Sequence, residues 1–325
     1  MSIWPIKLAD VKAARERIKP YVRPTPLRSY PALDAAVGSG IRVLVKHENH
    51  NLTNAFKVRN GLSALTMLTG EERTKGVIAG TRGNHGQGLA FAGQALGIPV
   101  TICVPHGNVK DKNEAMRDLG AELIEVGNDY DDTLVAVDKL VEERNLTLVH
   151  STNNKYVLAG AGTITLEILE QDPEIDALVF AIGGGSQAVG AMTVVRELKP
   201  DVRVYGVQAE GASAIYESWR TGHAVTSSSA TTFADGIATR SPAQMTFDAL
   251  CEGLTGFVTV TDSEIADALR LLLRVTHNLV EGAGAAGLAG LFKLKDDLAG
   301  KCVGIVLSGG NIDQAMLKRV LDCEI

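Results

Sequence analysis

Residues 177–190, ALVFAIGGGSQAVG, carry a short apolar stretch into three consecutive glycines and out into a helical pattern. The same strand–turn–helix signature recurs along most of the chain. Strand candidates fall at 42–45, 77–79, 100–104, 123–126, 148–150, 177–182, 203–207, 256–260 and 302–307. Helical periodicity covers 86–96, 111–119, 131–144, 160–170, 189–198, 263–279 and 283–294,. This alternation predicts an α/β protein with parallel sheets covered on both faces. Ligands of such sheets collect beyond the carboxyl ends of the strands, where the glycine-rich turns lie.

With 325 residues the chain is long enough for a large core in one unit or two closely joined ones,. The 34 glycines cluster beside apolar runs rather than in repeats, which suits tight turns,. A net charge of −6 without any Lys/Arg block argues against nucleic acid or an anionic membrane as main partner,. The four cysteines have no CxxC spacing, and Cys103 and Cys302 sit in apolar strand-like runs, which favours a reducing compartment,. The N-terminus lacks an apolar leader and becomes an amphipathic helix with Asp10 as candidate N-cap,. No apolar run reaches spanning length,. A cytoplasmic protein is expected.

Four segments carry candidate chemistry. NLTNAFKVRNG (51–61) places Lys57 directly behind Phe56. Most lysines are surface residues, but one held among apolar groups has a lowered pKa and can condense with a carbonyl. Gly83-Asn84-His85 lies between a strand and a helix, where Asn84 is either a helix cap or a ligand group,. Gly183-Gly184-Gly185-Ser186 is either an ordinary turn or an anion cradle of backbone amides at a helix N-terminus,. Ser308-Gly309-Gly310-Asn311 closes a late strand. Together they offer an amine for an aldehyde, a partner for a ring hydroxyl, a seat for a phosphate and a partner for a ring nitrogen. Those are the needs of pyridoxal phosphate.

With RPTPL (23–27), GTRGNHGQGLAFA (80–92), AIGGGSQAVG (181–190), ADGIA (234–238) and LSGGNID (307–313), the segments follow in order from residue 23 to 313. In this the chain resembles the fold type II pyridoxal-phosphate enzymes. It is most similar to the threonine/serine dehydratases and their serine racemase-like cousins, hydroxyaspartate and hydroxyectoine-utilisation dehydratases included. The resemblance implies a tryptophan synthase β-like fold of two parallel-sheet α/β lobes with the cofactor between them. A large domain would comprise 1–75 and 152–325, and an inserted small one 76–151. It also implies a homodimer and an amino-acid substrate. Lys57 would be the catalytic lysine. Phe56, Asn84, Gly183, Gly184, Gly185, Ser186, Glu281 and Ser308 would join it in holding the cofactor. Thr81, Arg82, Gly83 and His85 would hold the substrate. The activity implied is elimination of water and ammonia from a β-hydroxy-α-amino acid. A racemase, a β-replacement enzyme and a non-catalytic pyridoxal-phosphate-binding protein are the alternatives.

Two departures from the family pattern matter. Arg82 stands where racemases carry a serine base, and a guanidinium does not give up its proton. It would either pair with a second carboxylate of the substrate or face another protein group. Gln208 stands where metal-dependent relatives have a ligand glutamate, and Ala214 where they have an aspartate, so no tight Mg²⁺ or Ca²⁺ site is expected,. Glu210 is near enough to compensate. Gly282–Gly287 matches GxGxxG, but the next strand ends in Ser-Gly-Gly rather than an acid, which reads as a small-residue helix with Glu281 at its start,. The seven histidines form no zinc pattern, and His47 and His50 read as loop contacts,. Only fourteen residues follow Asn311, so feedback control by a C-terminal domain is not expected.

Overall fold

Valine, isoleucine and leucine dominate the strands, and their burial on both faces is what parallel sheets between helices require,. The computed structural model describes residues 3–128 and 130–325. In chain order the strands are β1 (Leu27–Ser29), β2 (Arg42–His47), β3 (Val77–Gly80), β4 (Val100–Val104) and β5 (Glu122–Glu125). They continue as β6 (Thr147–Leu148), β7 (Ala177–Ala181), β8 (Arg203–Ala209), β9 (Gly256–Val260) and β10 (Cys302–Leu307). The first seven helices are α1 (Leu8–Ile18), α2 (Pro31–Val37), α3 (Lys57–Leu65), α4 (Gly70–Lys75), α5 (Asn84–Leu96), α6 (Lys110–Asp118) and α7 (Tyr130–Arg144). The rest are α8 (Lys155–Gln171), α9 (Ser186–Leu198), α10 (Ala214–Thr221), α11 (Gln244–Gly253), α12 (Asp262–Thr276), α13 (Gly282–Leu294) and α14 (Gln314–Leu321).

Two sheets form. The larger has the order β1-β2-β10-β7-β8-β9, the smaller β5-β4-β3-β6, with every strand of the smaller drawn from residues 77–148. All neighbours pair in parallel except β1, whose Leu27 lies opposite Lys46 of β2. Pairing of Cys302 with Arg42 and of Val303 with Ala177 wedges the last strand between the early β2 and the middle β7. The carboxyl ends of β2, β3, β7 and β10 then lead into the segments singled out above.

Helix α13 is buried almost throughout, as an all-apolar helix must be,. Its small residues serve packing on β8 and on the turn after β10. A Cβ on Gly290 would strike Val207, and one on Gly284 would come within 2.8 Å of Gly309 O.

Several element ends differ from the sequence expectation for local reasons. Asp10 is not the N-cap of α1; the cap is Lys7, and the Asp10 carboxylate accepts the Lys7 backbone N–H at 2.8 Å. Helix α8 starts five residues before the expected 160, because Asn154 Oδ1 accepts from Tyr156 N and Val157 N. Helix α12 stops at Thr276, where His277 takes a left-handed φ of 53°,. His47 is no loop residue: it ends β2, is buried, stacks on His50, and bonds the Tyr30 hydroxyl at 2.9 Å. Leu52 is 73% exposed, whereas the adjacent Thr53 is buried. Among the described residues no helix is long and apolar enough to cross a membrane.

Candidate active site

A cavity of about 480 Å³ opens at the carboxyl ends of the strands. Phe56, Lys57, Thr81, Arg82, Gly83, Asn84, His85, Gly183, Gly184, Gly185, Ser186, Glu281 and Ser308 all line it. The structure therefore brings these residues to one place.

Lys57 is the first residue of α3. The Phe56 N–H donates to Ser308 O at 3.0 Å, which ties the lysine segment to the end of β10. The Lys57 Nζ lies 4.7 Å from the centre of the Phe56 ring. Burial pushes this ammonium down to about 8, against an upward pull from Glu281,. An ammonium with its pKa lowered that far keeps a usable fraction of free amine at neutral pH, which can act as nucleophile and base.

Beneath it lies a buried charge network that the sequence did not announce. Arg59, one turn-face away on α3, grips Glu48 through Nε (2.7 Å) and Nη2 (2.9 Å). It also reaches both oxygens of Glu167 on α8, at 2.6 and 2.9 Å. Lys46 of β2 donates to Glu167 at 2.7 Å and to Thr25 O at 2.7 Å, while the Thr25 hydroxyl donates to Glu48 at 2.6 Å. Two cations and two anions cancel, with each oxygen hydrogen-bonded, as buried charges require. The network also gives Thr25 of the RPTPL segment a structural duty.

Two helix N-termini open on the cavity. At α9, Gly185 is the cap with φ 89°, and no side chain caps the helix. The first backbone bond of α9 is Val189 N to Gly185 O, so the amides of Ser186, Gln187 and Ala188 have no partner within the helix,. Neighbouring protein groups fix the glycines. A Cβ on Gly183 would lie 2.6 Å from Gly236 O, and one on Gly184 would collide with the Thr152 hydroxyl. Crowding from protein, rather than approach of a ligand alone, accounts for this run. At α5 the first backbone bond is Gln87 N to Gly83 O, which frees the amides of Asn84, His85 and Gly86. The Thr81 hydroxyl accepts the Gly83 N–H at 3.1 Å and braces the turn.

Asn84 does not cap α5; it is the first helical residue. Its Nδ2 donates to Glu281 Oε1 at 2.6 Å, and its Oδ1 accepts from Asn311 Nδ2 at 2.8 Å. Glu281 occupies the cap position of α13 but makes no capping bond. Burial raises its carboxyl to about 7, against a downward pull from Lys112. His85 Nε2 bonds Val149 O at 2.9 Å, and since a carbonyl only accepts, Nε2 carries the proton,. Burial, with Lys57 adding to it, pushes the His85 imidazolium down to about 3, so the ring is neutral.

Sequence reasoning passed over Lys112, Asp235, His150 and Gln187, which also line the cavity. Lys112 of α6 ion-pairs with Asp235, which lies in the ADGIA segment. His150 Nδ1 accepts the backbone N–H groups of Thr152 (3.0 Å) and Asn153 (2.9 Å), so its other nitrogen is the donor. ADGIA was a visible signal for Asp235 and AIGGGSQAVG for Gln187; Lys112 and His150 had none.

The donor set fits pyridoxal phosphate. Buried atoms without protein partners line the cavity, namely Gln187 Nε2, His85 Nδ1 and Glu281 Oε2. Such groups cost free energy unless a polar ligand satisfies them. The free amides of α9 suit a phosphate dianion, and the Lys57 amine suits an aldehyde. Metal chemistry has no comparable set: among the described residues no group of three His, Cys, Asp or Glu side chains could hold an ion. Gln208 Oε1 instead accepts from Ile215 N (3.2 Å) and Tyr216 N (3.0 Å), capping α10.

Residues 18–309 match the family described as "Pyridoxal-phosphate dependent enzyme". The L-threonine ammonia-lyase of Thermotoga maritima is 38% identical over 317 residues, covering 98% of this chain and 78% of that protein. The structure of maize serine racemase superposes with a TM-score of 0.93 at 29% identity, covering 99% of this chain and 98% of that one. The processed form of threonine deaminase isoform 2 from Solanum lycopersicum gives 0.92 at 29% identity, covering 97% and 86%. The chain belongs to the pyridoxal-phosphate-dependent enzymes of fold type II, in the threonine/serine dehydratase branch. Its cofactor is pyridoxal 5′-phosphate.

Proposed function

We propose that this enzyme is an ammonia-lyase that converts a β-hydroxy-α-amino acid such as threonine, serine or 3-hydroxyaspartate into a 2-oxo acid and ammonia. The observation that carries the reading is the Lys57 amine, held near neutrality by burial, on a cavity that two uncapped helix N-termini face.

In this reading the α9 amides, Ser186 and Gln187 hold the phosphate. Lys57 takes the aldehyde, Asn84 the ring hydroxyl and Ser308 the ring nitrogen, with Phe56 and Glu281 beside the ring. When bound, the cofactor supplies a carbonyl that condenses with amines and a ring that withdraws electrons from Cα. A neutral hydroxyl at Ser308 leaves that withdrawal modest, which suits elimination over transamination. The free amides of α5, with Thr81 and Gly83, seat the substrate α-carboxylate. Lys57 Nζ removes the Cα proton as general base. Loss of the β-hydroxyl as water, followed by hydration, releases ammonia and the 2-oxo acid. His85 is neutral and stays so, which suits orientation and not proton transfer.

Racemisation needs a second base on the opposite face, and Arg82 offers none. The reading includes no divalent cation. It includes a cytoplasmic homodimer, and a division into a large unit (1–75 and 152–325) with an inserted small one (76–151), which matches the two-sheet arrangement.

The test is a 2-oxo acid assay over threonine, serine, 3-hydroxyaspartate and phenylserine with purified holoenzyme. Turnover of at least one, lost in Lys57→Ala together with the visible absorbance of the bound cofactor, is expected. Colourless protein, or coloured protein inert over the panel, would overturn the reading.

A further inference from the structure

Among the described side chains on the cavity wall, cations outnumber carboxyl groups. Lys57, Arg82, Lys112 and Arg240 face two carboxyl groups, Asp235 and Glu281. Asp235 is taken by Lys112. Glu281 is bonded to Asn84, which itself holds Asn311. Arg240 is anchored by donating from Nε to Ser227 O at 3.1 Å. Arg82 differs from all of these. It is exposed at the cavity mouth and makes no hydrogen bond or ion pair with any described residue. Of the two possibilities that the sequence leaves open, pairing with another protein group is not realised among the described residues.

Its position in the chain is equally telling. Arg82 sits between Thr81 and Gly83, inside the turn whose following amides (Asn84, His85, Gly86) are free to receive a carboxylate. A guanidinium rooted in that turn flanks the substrate seat instead of occupying it. A group carried on the substrate β-carbon lies three bonds from the α-carboxyl carbon, within the same small region. The cavity lining mixes the polar Asn153, Ser228 and Ser241 with the apolar Leu134 and Pro242, so Arg82 is the feature that selects for an anion.

We propose that Arg82 is a specificity-determining residue that pairs with a second carboxylate, so that the preferred substrate is a dicarboxylic β-hydroxy-α-amino acid. The smallest such compound is 3-hydroxyaspartate. The inference rests on the ammonia-lyase reading and narrows its substrate class. A planar fork donor matches a carboxylate with two parallel hydrogen bonds, which a neutral hydroxyamino acid cannot reciprocate. A carboxylate on Cβ also discourages binding of the substrate where no cation meets it, so discrimination runs in both directions.

The experiment measures kcat/KM for 3-hydroxyaspartate stereoisomers and for serine, with the parent holoenzyme, Arg82→Ser and Arg82→Lys. The parent should favour one dicarboxylic isomer, and Arg82→Ser should lower the dicarboxylate-to-serine ratio roughly 10- to 100-fold, the worth of a charge-assisted hydrogen bond. The loss should appear mainly in KM, since the contact exists in the ground state as well. Arg82→Lys should restore part of the ratio by charge without the fork. A second measurement is free of turnover: stabilisation of the holoenzyme against heat by succinate compared with butyrate. Succinate should protect more, and Arg82→Ser should remove the difference. A parent that prefers serine or threonine, or a ratio unchanged in Arg82→Ser, overturns the assignment while leaving the lyase reading intact. Failure of every panel substrate sinks the lyase reading instead, and the succinate comparison then judges Arg82 alone, equal protection by the two acids refuting its role.

Discussion

Gly61 on α3 and Gly88 on α5 meet with no side chain between them. A Cβ built on Gly61 would strike Gly88 O, and one built on Gly88 would strike Lys57 O. Lys57 opens α3 four residues before Gly61, and Asn84 opens α5 four residues before Gly88. One helical turn thus separates each site residue from the crossing point. The spacing of the lysine from the asparagine is set by two absent side chains.

Gly88→Ala should accordingly disturb the site from outside the cavity. The added methyl has backbone on its far side, which cannot swing away, so the helices must part. Overpacking of this kind costs about 1–3 kcal/mol. Urea unfolding should register that loss, with weakened cofactor retention on dialysis. Gly70→Ala, whose Cβ would meet nothing within 4 Å at the exposed start of α4, serves as the control and should change neither.

Arg59 holds two carboxylates that have no other strong cation but Lys46. Arg59→Met leaves Glu48 and Glu167 short of charge in a dry interior, and should cost about 3–5 kcal/mol. Arg59→Lys should recover little, since a single ammonium cannot grip Glu48 and Glu167 together. Adding Glu48→Gln to Arg59→Met should return part of the loss. Chemical denaturation of the three variants decides the matter; a marginal effect of Arg59→Met would show the network to be dispensable.

The cofactor-free protein should display two opposing pH dependences. His85 has a folded pKa near 3, below its usual 6.5, so between those values the unfolded chain binds the extra proton and stability rises with pH,. Glu281 has a folded pKa near 7, above its usual 4.5, so between those values the folded chain binds the extra proton and stability falls with pH,. From pH 4.5 to 6.5 these two contributions oppose each other, each at most about 1.4 kcal/mol per pH unit, while His47, which burial holds down to about 4, adds another rising one,. Relative to the parent, His85→Gln should therefore make the slope across this window less positive, and Glu281→Gln should make it more positive. Denaturant midpoints measured at half-unit steps would read both, and parallel profiles for the two variants would contradict the assignments.

Much of this architecture was legible beforehand because parallel strands and glycine turns leave strong local marks. All nine strand candidates correspond to strands, since each is an apolar run that a buried sheet demands. β1 was not anticipated: one half-buried and two exposed residues, held by pairing with β2, carry no pattern of their own. Helix α3 was hidden for a different reason. Its Arg59 is a buried charged residue that only its tertiary partners explain, and Asn60 is buried with both side-chain polar atoms unpartnered. Lys112 and His150 likewise reach the cavity from elements whose local sequence looks like solvated surface or plain loop. Asp10 misled because a third-position acid and a capping acid look alike until the backbone is traced.

The wedging of β10 between β2 and β7 has a bearing on biosynthesis. Lys57 follows an early strand, while the wall that faces it, Ser308, ends a strand made near the finish of translation. A nascent chain halted after β9 would possess the lysine and the phosphate turn yet lack the strand that draws them together. Vitamin capture is then a post-synthetic event, and chains truncated on the ribosome before residue 308 would emerge without a place to keep it.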